Sequence, residues 1–163
     1  MAALFLSTTV NKVDKKGRVS VPASFRAGLN AQGFNGVVLF RSIHHPAIEG
    51  WGLEQMEKLT SGIEQQYNPF SDERDNFAFS FLSDSVQLPC DPEGRIVIPD
   101  KLLAHAKITE TAAFVGRGKS FQIWEPATFE SLQEKARQRA AQGRQDLKLP
   151  TGGGGGQGGG SSE

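Results

Sequence analysis

The sequence predicts a mixed α/β fold with a β-rich core: two pseudo-symmetric β units carrying peripheral helices. Three observations predict it. A nonapeptide occurs twice, as Asp14-Lys15-Lys16-Gly17-Arg18-Val19-Ser20-Val21-Pro22 and as Asp91-Pro92-Glu93-Gly94-Arg95-Ile96-Val97-Ile98-Pro99, 77 residues apart. Each copy is followed by the same order of short helix, buried strand, tryptophan-ended strand and longer helix. A Gly- and Ser-rich tail from Thr151 to Glu163 cannot bury a core and stands outside both halves.

In order along the chain, residues 4 to 10 read as a strand that leads into the first nonapeptide. Within each copy, Asp and Gly are turn residues, the β-branched run is a strand, and Pro closes it. After Pro22, Ala23 to Gly28 reads as a short helix with Gly28 as its exit. Val37 to Arg41 has the composition of a buried strand, His44-His45-Pro46 of a turn, and Ala47 to Trp51 of a returning strand. Leu53, Met56, Leu59 and Ile63 fall at helical spacing, which predicts a helix over 53–64. Asn68 to Leu82 reads as a helix running into an extended segment that carries Phe77, Phe79 and Phe81. The second half replays the order: a helix over 101–106, a strand from Ala112 to Val115, a turn over Gly116 to Gly118, a strand from Phe121 to Trp124, and a helix opening at Pro126 with Phe129, Leu132 and Ala136 on one face. Two similar halves can pack about a pseudo-two-fold axis, as a symmetric dimer would.

The totals bound the function. The 163 residues carry 18 basic and 18 acidic side chains. A neutral total leaves nucleic-acid binding open, because that needs a local basic patch rather than a basic protein. Cys90 is the single cysteine, so there is no disulfide framework and no Cys-rich zinc site, which suits a reducing cytosol. The opening Ala2 to Leu6 is apolar without a basic segment before it and reads as a first strand rather than a signal peptide; no apolar run reaches membrane-spanning length.

The two nonapeptides differ in charge. Residues 1 to 26 hold Lys12, Lys15, Lys16, Arg18 and Arg26 against Asp14 alone, whereas residues 84 to 103 hold Arg95 and Lys101 against Asp84, Asp91, Glu93 and Asp100. Lys and Arg on phosphates fix register on a duplex, and an arginine reads guanine from the major groove, which a two-stranded ribbon can enter. Arg18 at the root of a strand fits that role, with Lys12, Lys15 and Lys16 as phosphate contacts. Beside it stands a plainer reading, in which Asp14 and Arg18 form a turn-stabilising ion pair and the lysines are solvated. Recurrence of Asp91 and Arg95 without the lysines makes that second pair structural or a contact between subunits.

Other motifs lead nowhere. Gly118-Lys119-Ser120 resembles the end of a phosphate-binding loop, but Ala113 stands where the motif needs glycine and a strand follows. His44 and His45 point apart on an extended chain and lack a third metal ligand. Cys90 has no CxxC partner and reads as a small buried residue. No nucleophile elbow or carboxylate pair stands out, so the sequence offers no catalytic residue and calls for no metal or cofactor.

With the repeated Asp-x-x-Gly-Arg motif, its β-branched pair and its Pro in both halves, the chain resembles the MraZ family, bacterial proteins built from two AbrB-like swapped-hairpin units. The stretches Val13 to Arg26, Phe81 to Pro99 and Gly116 to Trp124 carry the likeness, over roughly residues 4 to 140. The resemblance implies a first AbrB-like domain at 1–66, a connecting helix or linker at 67–83, a second such domain at 84–142 and a disordered tail at 143–163. It further implies a DNA-binding transcriptional regulator, cytoplasmic and associated with the nucleoid, not an enzyme and with no membrane partner. Such a protein acts on short direct repeats of double-stranded DNA in the promoter of the division and cell-wall gene cluster, and assembles with itself into closed rings. A ring of heads on evenly spaced repeats gains avidity from effective concentration. The family's DNA-contacting arginine falls on Arg18, with Lys15 and Lys16 in the same turn; its second-half equivalent is Arg95, where Pro92 and Glu93 replace the lysines. A rival class is an antitoxin-like protein-interaction module of the same fold. It would need apolar anchors in the tail, which this tail lacks.

Overall fold

The computed structural model describes residues 4–151. In chain order they form β1 (Thr8–Lys12), β2 (Arg18–Ser20), α1 (Ala23–Asn30), β3 (Gly36–Arg41), β4 (Ile48–Trp51), α2 (Leu53–Gln66), α3 (Asp72–Phe77), a π-helical turn (Ala78–Leu82), β5 (Val86–Pro89), β6 (Arg95–Val97), α4 (Asp100–Ala106), β7 (Thr111–Gly116), β8 (Phe121–Trp124), α5 (Pro126–Gly143) and a 3-10 turn (Arg144–Asp146). The chain divides into one unit that ends at Phe129 and another that begins at Glu130.

Within the first unit, six strands make one antiparallel sheet in the order β1-β7-β8-β4-β3-β5, and β2 pairs with β6 as a separate two-stranded ribbon. The order reads the same from either end once each strand is exchanged for its counterpart in the other half. Both outer pairings cross between halves. β1 lies on β7, with Thr8 opposite Val115 and Lys12 opposite Thr111, and β5 lies on β3, with Gly36 opposite Pro89. At the centre, β4 lies on β8, Glu49 opposite Gln122. The fold class read from the sequence is the one observed.

The core lies between the inner face of this sheet and a cover made of the ribbon with α1 and α4. The sheet supplies Val37, Leu39, Ile48, Ala112, Phe114, Phe121 and Ile123; the cover supplies Val19, Val21, Phe25, Leu29, Ile96, Ile98, Leu102 and Ala106. Phe25 stands edge-on to Phe5 at 5.4 Å and lies 4.9 Å from Phe121, a geometry that aromatic pairs favour. On the outer face, Val38, Phe40 and Met56 bury together with Trp51, Leu59 and Phe81, so α2 and the π turn cover one half of the sheet. Strands buried on both faces read as continuous apolar runs, which is why β3 and β7 stand out in the sequence.

Several boundaries differ from expectation, each for a physical reason. The first strand begins at Thr8, because Ser7 takes a positive φ of 72° and breaks the chain direction; Phe5 makes only an isolated bridge to Gly118. The expectation for Ala2 and Ala3 lies outside the described residues. Helix α1 continues through Gly28, which is buried in it, to Asn30, and the exit uses Gly33 at φ 91°. The segment carrying Phe77, Phe79 and Phe81 is helical, not extended. Phe77 and Phe81 stack at 6.0 Å one turn apart, and Phe81 reaches Phe40 at 5.7 Å, leaving Phe79 exposed. A helix capped by the Ser71 side chain on the Arg74 N–H, with Asp72, Glu73 and Asp75 in its first turn, sets that path. Strand β5 had no expectation attached.

Helix α5 starts at Pro126 as read. Phe129 is half-buried 5.5 Å from Trp124, Leu132 is half-buried and Ala136 is exposed, so the predicted apolar face is only partly covered. In the second unit, the residues from 133 to 151 are exposed. The Gly- and Ser-rich stretch from 152 to 163 lies outside the described residues.

Candidate nucleic-acid interface

Each nonapeptide folds into the same turn. In the first, the Asp14 carboxylate accepts from three donors: Oδ1 from the backbone N–H of Lys16 and of Arg18, both at 2.9 Å, and Oδ2 from Arg18 Nε at 2.6 Å. The Gly17 N–H donates to the Asp14 carbonyl at 3.0 Å, and Asp14 N–H to the Arg18 carbonyl at 3.0 Å. Gly17 sits at φ +82°, the left-handed region that glycine alone enters freely. In the second, Asp91 accepts from Glu93 N–H and Arg95 N–H at 2.9 Å and from Arg95 Nε at 2.9 Å, with Gly94 at φ +78°. The Arg18 backbone N–H, foremost, holds the Asp14 carboxyl below the usual carboxylate range, and the Arg95 N–H does the same for Asp91.

The two turns are locked to each other. Arg18 stands opposite Val97, Val19 opposite Ile96 and Ser20 opposite Arg95. Just outside this ladder, Ile98 N–H donates to the Gly17 carbonyl at 2.9 Å and Val21 N–H donates to the Gly94 carbonyl at 3.0 Å. These are the same bond seen from each half. Asn11 adds a tether from the large sheet, its side-chain amide donating to the Ser20 carbonyl at 2.7 Å. Val19 and Ile96 are each 1% exposed beneath the ribbon, so the arginines are mounted on a rigid, core-anchored frame.

The plainer reading of the ion pair is therefore correct as to geometry, and it does not use up Arg18. Only Nε of Arg18 is paired, and among the described residues its two terminal nitrogens make no hydrogen bond or ion pair. The Arg18 side chain is 39% exposed. In the second turn a further carboxylate takes up part of that capacity: Arg95 Nη2 lies 3.5 Å from Glu93 Oε2. The Asp91 side chain, ahead of its other partners, raises the affinity of Arg95 for its proton. Lys12 at the end of β1 and Lys15 and Lys16 in the turn are exposed, and none pairs with a carboxylate among the described residues. So the structure brings Lys12, Asp14, Lys15, Lys16 and Arg18 together on one turn and the strand entering it. Asp91 and Arg95 sit on the twin turn.

Two other charged groups are satisfied within the fold. Burial works to raise the Asp84 pKa, but the Arg41 side chain and backbone N–H win and lower it, through bonds of 2.6 Å and 2.9 Å. Glu49 is buried at the sheet centre, accepting from Gln122, with Arg117 at 3.4 Å. Trp124 Nε1 donates to Gln122 at 2.9 Å, whereas Nε1 of its twin Trp51 is buried without a partner among the described residues. A groove of about 380 Å³ runs beside Trp51, between α2 and α3, lined by Leu59, Ile63, Tyr67, Phe77 and Phe81. Cys90 is half-buried against the core rather than fully buried, and the burial it has raises its pKa above the usual value, in keeping with an unreactive thiol. Among the described residues no group of three or more His, Cys, Asp or Glu side chains could hold a metal ion, and no helix is long and apolar enough to cross a membrane.

Sequence reasoning missed Asn11, and it missed that Ser20 and Val97 share the outer face of the ribbon with the arginines. Alternation along each strand signals which side each residue faces; the register that sets Val97 opposite Arg18 is a pairing between residues far apart in sequence and leaves no local signal.

The chain as a whole is similar to known proteins. The family model of the MraZ protein, described as antitoxin-like, matches residues 4–77 and again 81–149. A protein of Pelagibacter ubique (strain HTCC1062) named transcriptional regulator MraZ is 50% identical over 145 residues, covering 89% of this chain and 93% of its own. Proteins of the same name from Rickettsia felis and Rickettsia rickettsii are each 46% identical over 145 residues, with 89% of this chain and 97% of theirs covered.

Proposed function

The chain belongs to the MraZ family, and from that premise we propose that it is a sequence-specific DNA-binding transcriptional regulator whose reading head is the basic turn at 14–18. The observation that carries this is the state of Arg18: fixed through Nε by Asp14, with both terminal nitrogens free on a half-exposed side chain. That is the arrangement a bidentate contact to guanine O6 and N7 requires. Lys12, Lys15 and Lys16 lie on phosphates, and Asp14 serves the turn. Asp91 and Arg95 hold the twin turn in shape and complete the fold. The relatives are named as regulators, not enzymes, and the chain has the same character.

In this reading the protein works in the cytoplasm, on the nucleoid. It acts at the promoter of the division and cell-wall gene cluster through short direct repeats, and it does so as a closed ring of identical copies. Each head is weak alone; repeats spaced to match the ring convert the later contacts into intramolecular ones.

The test is an electrophoretic shift on the protein's own upstream region, with mass measurement of the free protein. Arg18→Ala abolishes specific binding and leaves the assembly mass unchanged. Affinity of the unaltered protein falls steeply with salt, because phosphate neutralisation releases counterions. Wild-type affinity in Arg18→Ala, or a salt-independent complex, rejects this surface.

A further inference from the structure

We propose that Val97 reads the C5-methyl of a thymine next to the guanine that Arg18 reads. The reading head is then a composite of an arginine from the first half and a valine from the second. The inference rests on the DNA-binding reading above and adds a second base to it.

The ribbon has two faces. Val19 and Ile96 point into the core, so residues 18 and 20 of β2 and residues 95 and 97 of β6 lie on the other side. Four side chains therefore make up the outer face of the ladder: Arg18, Ser20, Arg95 and Val97. Val97 is the apolar one, and it is 53% exposed, at the end of a strand where its neighbours in sequence, Ile96 and Ile98, are 1% exposed.

Register decides its neighbour. Val97 is the direct cross-strand partner of Arg18, and Ser20 is the partner of Arg95. Directly opposed side chains on one face of an antiparallel pair have Cβ atoms roughly 5 Å apart. Successive base pairs are about 3.4 Å apart along the helix axis. A ribbon that brings Arg18 onto one base edge thus brings Val97 to an adjacent step. In the major groove the apolar feature on offer is the thymine methyl, which adenine, guanine and cytosine lack. Val97 and the free end of Arg18 make a donor-plus-apolar pair. In the other direct pair, Ser20 faces an arginine whose outer nitrogen is held by Glu93. The second nonapeptide then contributes to readout without any cation of its own, through a hydrophobic side chain that the ladder carries across to the first.

The test is a methyl scan. Duplexes are selected from a random pool with the wild-type protein. They are then resynthesised with each thymine in turn replaced by deoxyuridine, which removes the one methyl group and nothing else. Binding of wild type, Val97→Ser and Arg18→Ala is compared on each. The expected result is a loss of about fourfold for wild type at a thymine adjacent to a guanine, the worth of one buried methyl. Val97→Ser loses about as much on the thymine duplex and no longer distinguishes thymine from deoxyuridine there, at an unchanged assembly mass. If wild type is indifferent to every deoxyuridine while Arg18→Ala abolishes binding, the valine assignment is overturned and the DNA-binding reading stands. The assignment is equally overturned if Val97→Ser keeps the full thymine preference, or if it changes the assembly mass and not the preference. Wild-type binding by Arg18→Ala overturns the DNA-binding reading itself. The scan on wild type needs no substitution, so whether a thymine methyl is read at all does not depend on how well a variant folds.

Discussion

The turn at 14–18 and the turn at 91–95 have the same backbone path, the same Asp accepting two backbone N–H groups and an arginine Nε, and the same positive-φ glycine. They differ at the position before the glycine, where the first turn has an exposed Lys16 and the second has Glu93, which closes on its arginine's Nη2 at 3.5 Å. The comparison teaches that building the turn and leaving its arginine free are separable. Asp, Gly, Arg and Pro make the frame in both halves; the residues between Asp and Gly decide how much of the guanidinium is left unpaired.

The sharpest way to break the comparison is to remove each arginine in turn. Arg18→Ala eliminates specific binding, a loss of about a hundredfold or more given what one bidentate base contact is worth and that a ring repeats it. Arg95→Ala keeps specific binding within about threefold and shows its effect in a lower melting temperature. Equal losses in a binding titration of the two variants erase the distinction drawn here.

Next in size is the pair of glycines. A Cβ at Gly17 would stand 2.6 Å from the Ile98 carbonyl oxygen, which is backbone of the residue whose N–H bonds to the Gly17 carbonyl, whereas at Gly94 it would meet the Arg26 guanidinium at 2.7 Å, a side chain that can swing aside by giving up its bond to the Val21 carbonyl. Both substitutions incur the left-handed penalty of about 1 to 3 kcal/mol. Gly17→Ala therefore sits at the upper end, about 3 kcal/mol, and Gly94→Ala nearer 1, measured by chemical denaturation.

Exchanging the distinguishing residue has a smaller effect and sharpens the cause. Lys16→Glu offers Arg18 the partner that Arg95 already has, and lowers affinity about tenfold, more than Lys16→Ala does. Glu93→Lys frees Arg95 and makes the logarithmic salt dependence of binding steeper by about one unit per head engaged.

The smallest effect is one that both turns share. Asp14 and Asp91 have folded-state pKa values below their unfolded value of about 3.9. A depressed carboxylate contributes stability fully above the unfolded value and loses it as pH falls through the folded one. Their contribution to stability is therefore constant from neutral pH down to about 5 and declines below about 4. A double Asp14→Asn, Asp91→Asn variant starts less stable and loses less on acidification; an identical acid profile would show that these bonds do not set it.

Much of the fold was legible because its signals are local. The two nonapeptides, the buried runs of β3 and β7, the tryptophans that end β4 and β8 and the periodicity of α2 all stand in the sequence as short patterns. The π turn was misread because Phe77, Phe79 and Phe81 alternate as a strand would, while the contact that matters joins Phe77 to Phe81. Strand β5 was missed because its alternation, half-buried Val86 and Leu88 against exposed Gln87 and Pro89, runs for only four residues and ends in a proline, too short a pattern to stand out. Of the candidate site, the chemistry was legible and the geometry was not. Lys15, Lys16 and Arg18 announce a basic turn, but which guanidinium nitrogens are free, and that Val97 stands across from Arg18, follow from bonds and register between distant segments.

The crossed pairing of the outer strands has a consequence for how the chain is made. β1 leaves the ribosome early, yet its partner β7 is roughly a hundred residues further on, about 5 to 20 s away at ordinary rates of synthesis. Through that interval β1 has no strand beside it, and β3 waits a shorter time for β5. A nascent chain of this kind is exposed to mispairing with the same strand of a neighbouring chain on the same messenger. The cell's translation speed and chaperone supply, and not the final stability alone, then set how much correctly folded protein accumulates.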